Sequence, residues 1–104
     1  MKSNNKTIFT VEELKTRLTP IFREYNIRRA ILFGSYSKGS AAANSDIDLL
    51  VDSGLKGLKF VGLIDDIQQS LQGKEVDVFD VTHINHGSLV EKEIRETGVE
   101  IYAK

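Results

Sequence analysis

Two aspartates interrupt a short apolar run, Ser45-Asp46-Ile47-Asp48-Leu49-Leu50-Val51, and chemistry can be argued from them first. Side chains alternate along a strand, so Asp46 and Asp48 share a face, roughly 7 Å apart at ~3.3 Å per residue, while Ile47, Leu49 and Val51 face the other way. Like charges side by side on a partly buried strand repel each other and lose hydration, and a fold keeps them only where a cation or a cationic partner compensates. Carboxylate oxygens without His or Cys suit a hard ion, and Mg²⁺ completes its octahedron with waters and substrate phosphates. The pattern therefore predicts a metal site that takes a phosphate-bearing ligand.

The phosphate end lies about a dozen residues upstream, in Gly34-Ser35-Tyr36-Ser37-Lys38-Gly39. Gly34 lets backbone approach closely, and Ser35 offers a hydroxyl and an N–H. A short helix starting near Tyr36 would add N–H groups to an anion site, with Lys38 as counter-charge to a triphosphate. A third carboxylate, Asp77, interrupts the apolar run Glu75-Val-Asp-Val-Phe-Asp80. If that run pairs beside the first, Asp77 completes a three-carboxylate cluster. Two ions ~3.5–4 Å apart in such a cluster stabilise both the attacking and the leaving oxygen of an in-line phosphoryl displacement, and Asp77 is then placed to accept the acceptor's proton. Tyr36 could stack on a base or shield the loop; His83 and His86 read as capping or surface residues.

These residues resemble the minimal nucleotidyltransferases of the polymerase-β-like superfamily, whose signature is Gly-Ser, a short turn ending in Gly, then Asp-x-Asp. Here it is Gly34-Ser35, Gly39 and Asp46-x-Asp48, and the resemblance covers residues 28 to 80. It implies an α/β fold with a mixed sheet flanked by helices, Mg²⁺ (two ions) held by Asp46, Asp48 and Asp77, and ATP as substrate, its phosphates at Gly34, Ser35, Lys38 and Gly39. Lys38 departs from the Arg that related sequences often carry, a point charge in place of a planar fork. Chains this short resemble the antitoxin half of two-gene modules whose other half is an all-helical HEPN ribonuclease toxin. That likeness implies transfer of AMP to a partner's hydroxyl, with Tyr as the expected acceptor. The alternatives are a non-catalytic antitoxin that occludes its partner and an enzyme acting on a small molecule such as an aminoglycoside.

The elements that must hold these residues follow from periodicity. Thr10-Val-Glu-Glu13 reads as a capping box, followed by apolar residues at Val11, Leu14, Leu18, Ile21, Phe22 and Tyr25 on one helical face. Pro20 within that face predicts a kink or break. Arg29 to Phe33 and Asp46 to Val51 read as strands. Phe60, Val61, Ile64, Ile67 and Leu71 read as a helix with Gly73 past its end. Lys74 to Asp80 is a third strand, Thr82 to Thr97 a third helix stopped by Gly98, and Val99 to Ala103 a last strand. Residues 1–9 are expected to fray, leaving 10–104 as one domain.

The bulk numbers agree. A chain of 104 residues, 40% hydrophobic and 28% charged, suits one packed domain. A formal charge of −1 gives no basic field for a long nucleic acid. The absence of Cys removes disulfides and thiolate chemistry. With no apolar run of membrane-spanning length and a polar start, the expected location is the cytoplasm.

Overall fold

The computed structural model describes residues 7–104. The first six residues of the segment expected to fray lie outside the described residues, and the boundary of the core falls earlier than the sequence suggests. Phe9 is 3% exposed and joins the hydrophobic core, with the Arg17 guanidinium 5.0 Å from its ring centroid. Its single aromatic ring gives no periodic signal, which is why the sequence reading leaves it outside.

Helix α1 spans Val11–Glu24. Its capping box forms as predicted: the Glu13 N–H donates to Thr10 Oγ1 at 3.0 Å, and the Thr10 N–H to the Glu13 carboxylate at 2.8 Å. Pro20 does not break it, contrary to expectation. Both Pro20 and Thr16, whose carbonyl loses its partner, are exposed, so water can take that acceptor and the break is not enforced.

Strands β1 (Arg29–Phe33), β2 (Ile47–Asp52), β3 (Val76–Asp80) and β4 (Val99–Ala103) form one sheet in the order β3-β2-β1-β4. β1 runs antiparallel to both β2 and β4, and β2 pairs with β3 in parallel. The parallel pair needs a crossover, supplied by helix α3 (Leu58–Ser70). Gly73, with φ of 79°, closes that helix by donating its N–H to the Gln68 carbonyl at 2.8 Å. Ile47, Leu49 and Val51 are fully buried with Leu14, Leu18 and Phe22 of α1 and Leu63 and Ile67 of α3. One face of the sheet therefore carries the core, and the alternate residues Asp48, Leu50 and Asp52 point away from it.

The predicted helix over Thr82 to Thr97 is two elements. Asp80 caps a single 3₁₀ turn at Val81–His83. The chain then turns through Gly87, at φ of 83°, before Ser88 caps α4 (Leu89–Thr97). Glycine in the left-handed region together with a serine cap is a start signal stronger than the weak apolar periodicity around it. Helix α4 rests on β1, on the side of the sheet opposite the core, and none of its residues is buried.

Candidate active site

The parallel register sets Asp48 directly opposite Asp77. Matched residues on neighbouring strands project to the same face, so the two carboxylates stand together on the side facing away from α1 and α3. Asp46 lies one residue ahead of β2 rather than within it, and is exposed. Lys74 positions the segment that leads to it. This lysine is only 6% exposed, and its Nζ donates to the Ala43 carbonyl at 3.0 Å, tying the loop before β2 to the chain entering β3.

The electrostatics single out Asp48. Its carboxyl is pushed up to about 6, first by burial and then by the negative charges of Asp77, Glu93 and Asp46. Asp77, by contrast, is exposed. Glu93 is a fourth acidic residue that sequence reasoning did not find. It lies on α4 with an exposed side chain, 45 positions beyond Asp48 in the numbering, and the predicted helix around it carried no information about which strand it would lean on.

Gly34 closes the site. It adopts φ of 80°, and a Cβ placed there would stand 2.7 Å from Asp48 Oδ2 and 3.8 Å from Glu93 Oε2. Backbone can pass this close to a carboxylate only without a side chain. Both of its polar groups are already engaged. Its N–H donates to Thr97 Oγ1 at 2.9 Å, and its carbonyl accepts from Ser37 Oγ at 2.8 Å and the Lys38 N–H at 3.2 Å. Gly34 thus contributes clearance, and the donors left for an anion are those of the residues after it. These form the four-residue helix α2, Ser35–Lys38, which the sequence reading places near Tyr36. Ser35 opens it partly exposed, Lys38 ends it exposed, and Gly39 stops it in the left-handed conformation with φ of 75°.

Other candidates fall away from the site. Tyr36 is 3% exposed and belongs to the core, so it shields the loop and cannot stack on a base. His83 accepts the Asp80 N–H at its Nδ1 and meets Phe60 edge-on, while His86 is exposed and pairs with Glu91, in keeping with capping and surface roles.

The candidate metal ligands at the site are oxygens alone, and burial together with the neighbouring negative charges disfavours the bare Asp48 carboxylate. Among the described residues, no group of three or more His, Cys, Asp and Glu side chains is already gathered as a metal cage. Mg²⁺ seldom needs one, because it is held by one or two carboxylates plus water and phosphate. The facing pair Asp48 and Asp77, with Asp46 beside them, fits that demand.

Comparison with known proteins decides the family. The sequence family described as "Polymerase beta, Nucleotidyltransferase" matches residues 16–104. The chain belongs to this nucleotidyltransferase family. Two relatives from Methanocaldococcus jannaschii bear the provisional name of protein adenylyltransferase. One is 36% identical over 77 residues, covering 72% of this chain and 82% of the relative. The other is 31% identical over 94 residues, covering 88% and 94%. Among solved structures, a toxin–antitoxin complex with AMP-PNP superposes with a TM-score of 0.72 at 22% identity, over 86% of this chain and 73% of that one. The MntA-HepT toxin–antitoxin complex gives 0.66 at 18%, over 89% and 73%. At these identities the likeness establishes the nucleotidyltransferase fold, a mixed sheet with flanking helices. Among the described residues, no helix is long and apolar enough to cross a membrane.

Proposed function

We propose that this nucleotidyltransferase transfers AMP from ATP to a hydroxyl, with Tyr as the expected acceptor, on a partner protein, and that the partner is a HEPN-class toxin which the transfer neutralises. The observation that carries the chemistry is the pairing of Asp48 with Asp77 beside Gly34. The partner class rests on the relatives named for protein adenylylation and on the toxin–antitoxin structures that share the fold.

Asp46, Asp48 and Asp77 would hold Mg²⁺, which when bound neutralises triphosphate charge and stabilises the reacting oxygens. Ser35 presents its hydroxyl and N–H to the phosphates, Lys38 supplies a positive charge, and Gly34 and Gly39 keep the turn free of side chains. Asp77 faces solvent, where an incoming acceptor arrives. It takes the acceptor's proton as that oxygen bonds to the α-phosphorus, and the bond from the α-phosphorus to the bridging oxygen breaks. Pyrophosphate leaves with that electron pair.

The test incubates the protein with Mg²⁺, ATP labelled at the α-phosphate and the product of the adjacent gene, with Asp46→Asn/Asp48→Asn as control. Label on the partner only with the unmodified protein is the expected result. Intact binding to the partner without label would replace this reading with neutralisation by occlusion, and label only in acid-soluble product would point to a small-molecule acceptor.

A further inference from the structure

Helix α4 is hydrogen-bonded to the turn at Gly34 through the side chain of Thr97. Thr97 Oγ1 donates its proton to the Glu93 carbonyl at 2.8 Å and accepts the Gly34 N–H at 2.9 Å. The hydroxyl has a single proton, and the backbone of its own helix takes it, so a lone pair is left facing Gly34. Gly34 is buried, and a buried N–H without an acceptor is destabilising. The same residue is held at its carbonyl by Ser37 and Lys38, both within the turn, so among the described residues Thr97 supplies the hydrogen bond that fixes Gly34 from outside it. Without it, the strained φ of 80° at Gly34 would be held from one side only.

We infer that Thr97 is a positioning residue for nucleotide binding: its hydroxyl fixes the Gly34 amide and thereby the orientation in which Ser35 and the start of α2 meet the phosphates. This deepens the proposed function and rests on it. Thr97 is 63 residues from Gly34 in sequence and does not itself line the turn. The effect is therefore on the precision of the turn rather than on a direct contact with phosphate.

Two variants separate position from bulk. Thr97→Val keeps the shape and loses the acceptor, and Thr97→Ser keeps the acceptor and loses a methyl. Hydrogen exchange of the Gly34 amide, read by NMR on the intact protein, should accelerate at least tenfold in Thr97→Val and stay within about threefold in Thr97→Ser. AMP-PNP with Mg²⁺, titrated calorimetrically, should bind Thr97→Val about tenfold more weakly, equivalent to ~1.4 kcal/mol, and Thr97→Ser within twofold. Equal affinity of Thr97→Val and the unmodified protein overturns the inference while leaving the nucleotide reading intact. Absence of AMP-PNP binding by the unmodified protein overturns both. If Thr97→Val fails to fold, Thr97→Ser decides: tenfold weaker binding there refutes a role for the hydroxyl, since the hydroxyl is still present.

Discussion

Replacing Asp48 with Asn should stabilise the metal-free protein at neutral pH and abolish nucleotidyl transfer. The surroundings of Asp48 set the sign and the order of magnitude. Burial and the charges of Asp77, Glu93 and Asp46 raise the Asp48 carboxyl from 3.8 to about 6. In the unfolded chain it titrates near its ordinary value. Below that value Asp48 is protonated in both states and costs nothing. Between the two values the unfolded chain releases the proton while the folded protein holds it, so stability falls as pH rises. Above the folded value both states are ionised and the penalty is constant. A shift of ~2 units at ~1.4 kcal/mol per unit sets a ceiling of about 3 kcal/mol, and solvent screening at this half-exposed carboxylate lowers it. Asn keeps the volume but still lacks full hydrogen bonding, which leaves an expected gain of about 1–2 kcal/mol, or ~5–15 °C in Tm for a domain of this size.

The assay is urea denaturation of Asp48→Asn and the unmodified protein in EDTA from pH 3 to 8. The difference in stability should be near zero at pH 3, grow between pH 4 and 6, and reach a plateau above it. Millimolar Mg²⁺ should then narrow the gap at pH 7.5 by stabilising only the unmodified protein. A difference that is flat with pH, or an Asn variant less stable at pH 7.5, would refute the reasoning that Asp48 is held against an electrostatic penalty.

Two further outcomes follow from the same geometry. Gly34→Ala should lose AMP-PNP binding and destabilise the fold by ~1–3 kcal/mol, because its Cβ meets Asp48 Oδ2 at 2.7 Å and its φ is 80°; calorimetry and thermal melting check it. Asp80 is 2% exposed, and burial, the largest influence, would raise its carboxyl, but hydrogen bonds from Ser53 and Thr82 outweigh burial and bring it to about 2. Its contribution is present above its ordinary value and disappears as pH falls toward 2. Asp80→Ala should therefore cost about 2–4 kcal/mol at pH 7 and less at pH 2, measured by denaturant titration.

The parts of this site that could be read from sequence are those whose signal is local. Gly34, Ser35 and Gly39 follow an apolar strand within a few residues, and the alternation of Asp46 and Asp48 with apolar neighbours needs only strand geometry. The boundaries of β2 and β3 shifted by one or two residues without changing which face is which. What was not legible depends on chain crossings. That Asp77 would stand opposite Asp48 required knowing that β2 and β3 are adjacent and parallel, which the sequence reading could state only as a condition. Glu93 and Thr97 are hidden for a stronger reason: the sequence reads as one helix from Thr82 to Thr97. The weak apolar run of Leu89, Val90 and Ile94 does not mark where the helix starts, whereas the Asp80 cap and the Gly87 turn do. Starting the helix at Leu89 sets which of its side chains face β1.

The same chain crossings explain why the site is costly. Three separate segments deliver carboxylates to one small area, and the sheet buries the one at its centre. Hydrophobic burial on the other face of the sheet, through Ile47, Leu49 and Val51 of the very strand that carries Asp48, holds that strand in place whatever its charged face demands. Alternation along β2 thus divides the labour within six residues: the inward side chains supply stability, while of the outward carboxylates Asp52 pairs with Arg28 and Asp48 stands among like charges. A surface aspartate serving merely as a strand end would need neither the glycine cleared to 2.7 Å from its oxygen nor a matched aspartate on the neighbouring strand. Under the proposed function, the stability lost at Asp48 is regained when the cation binds.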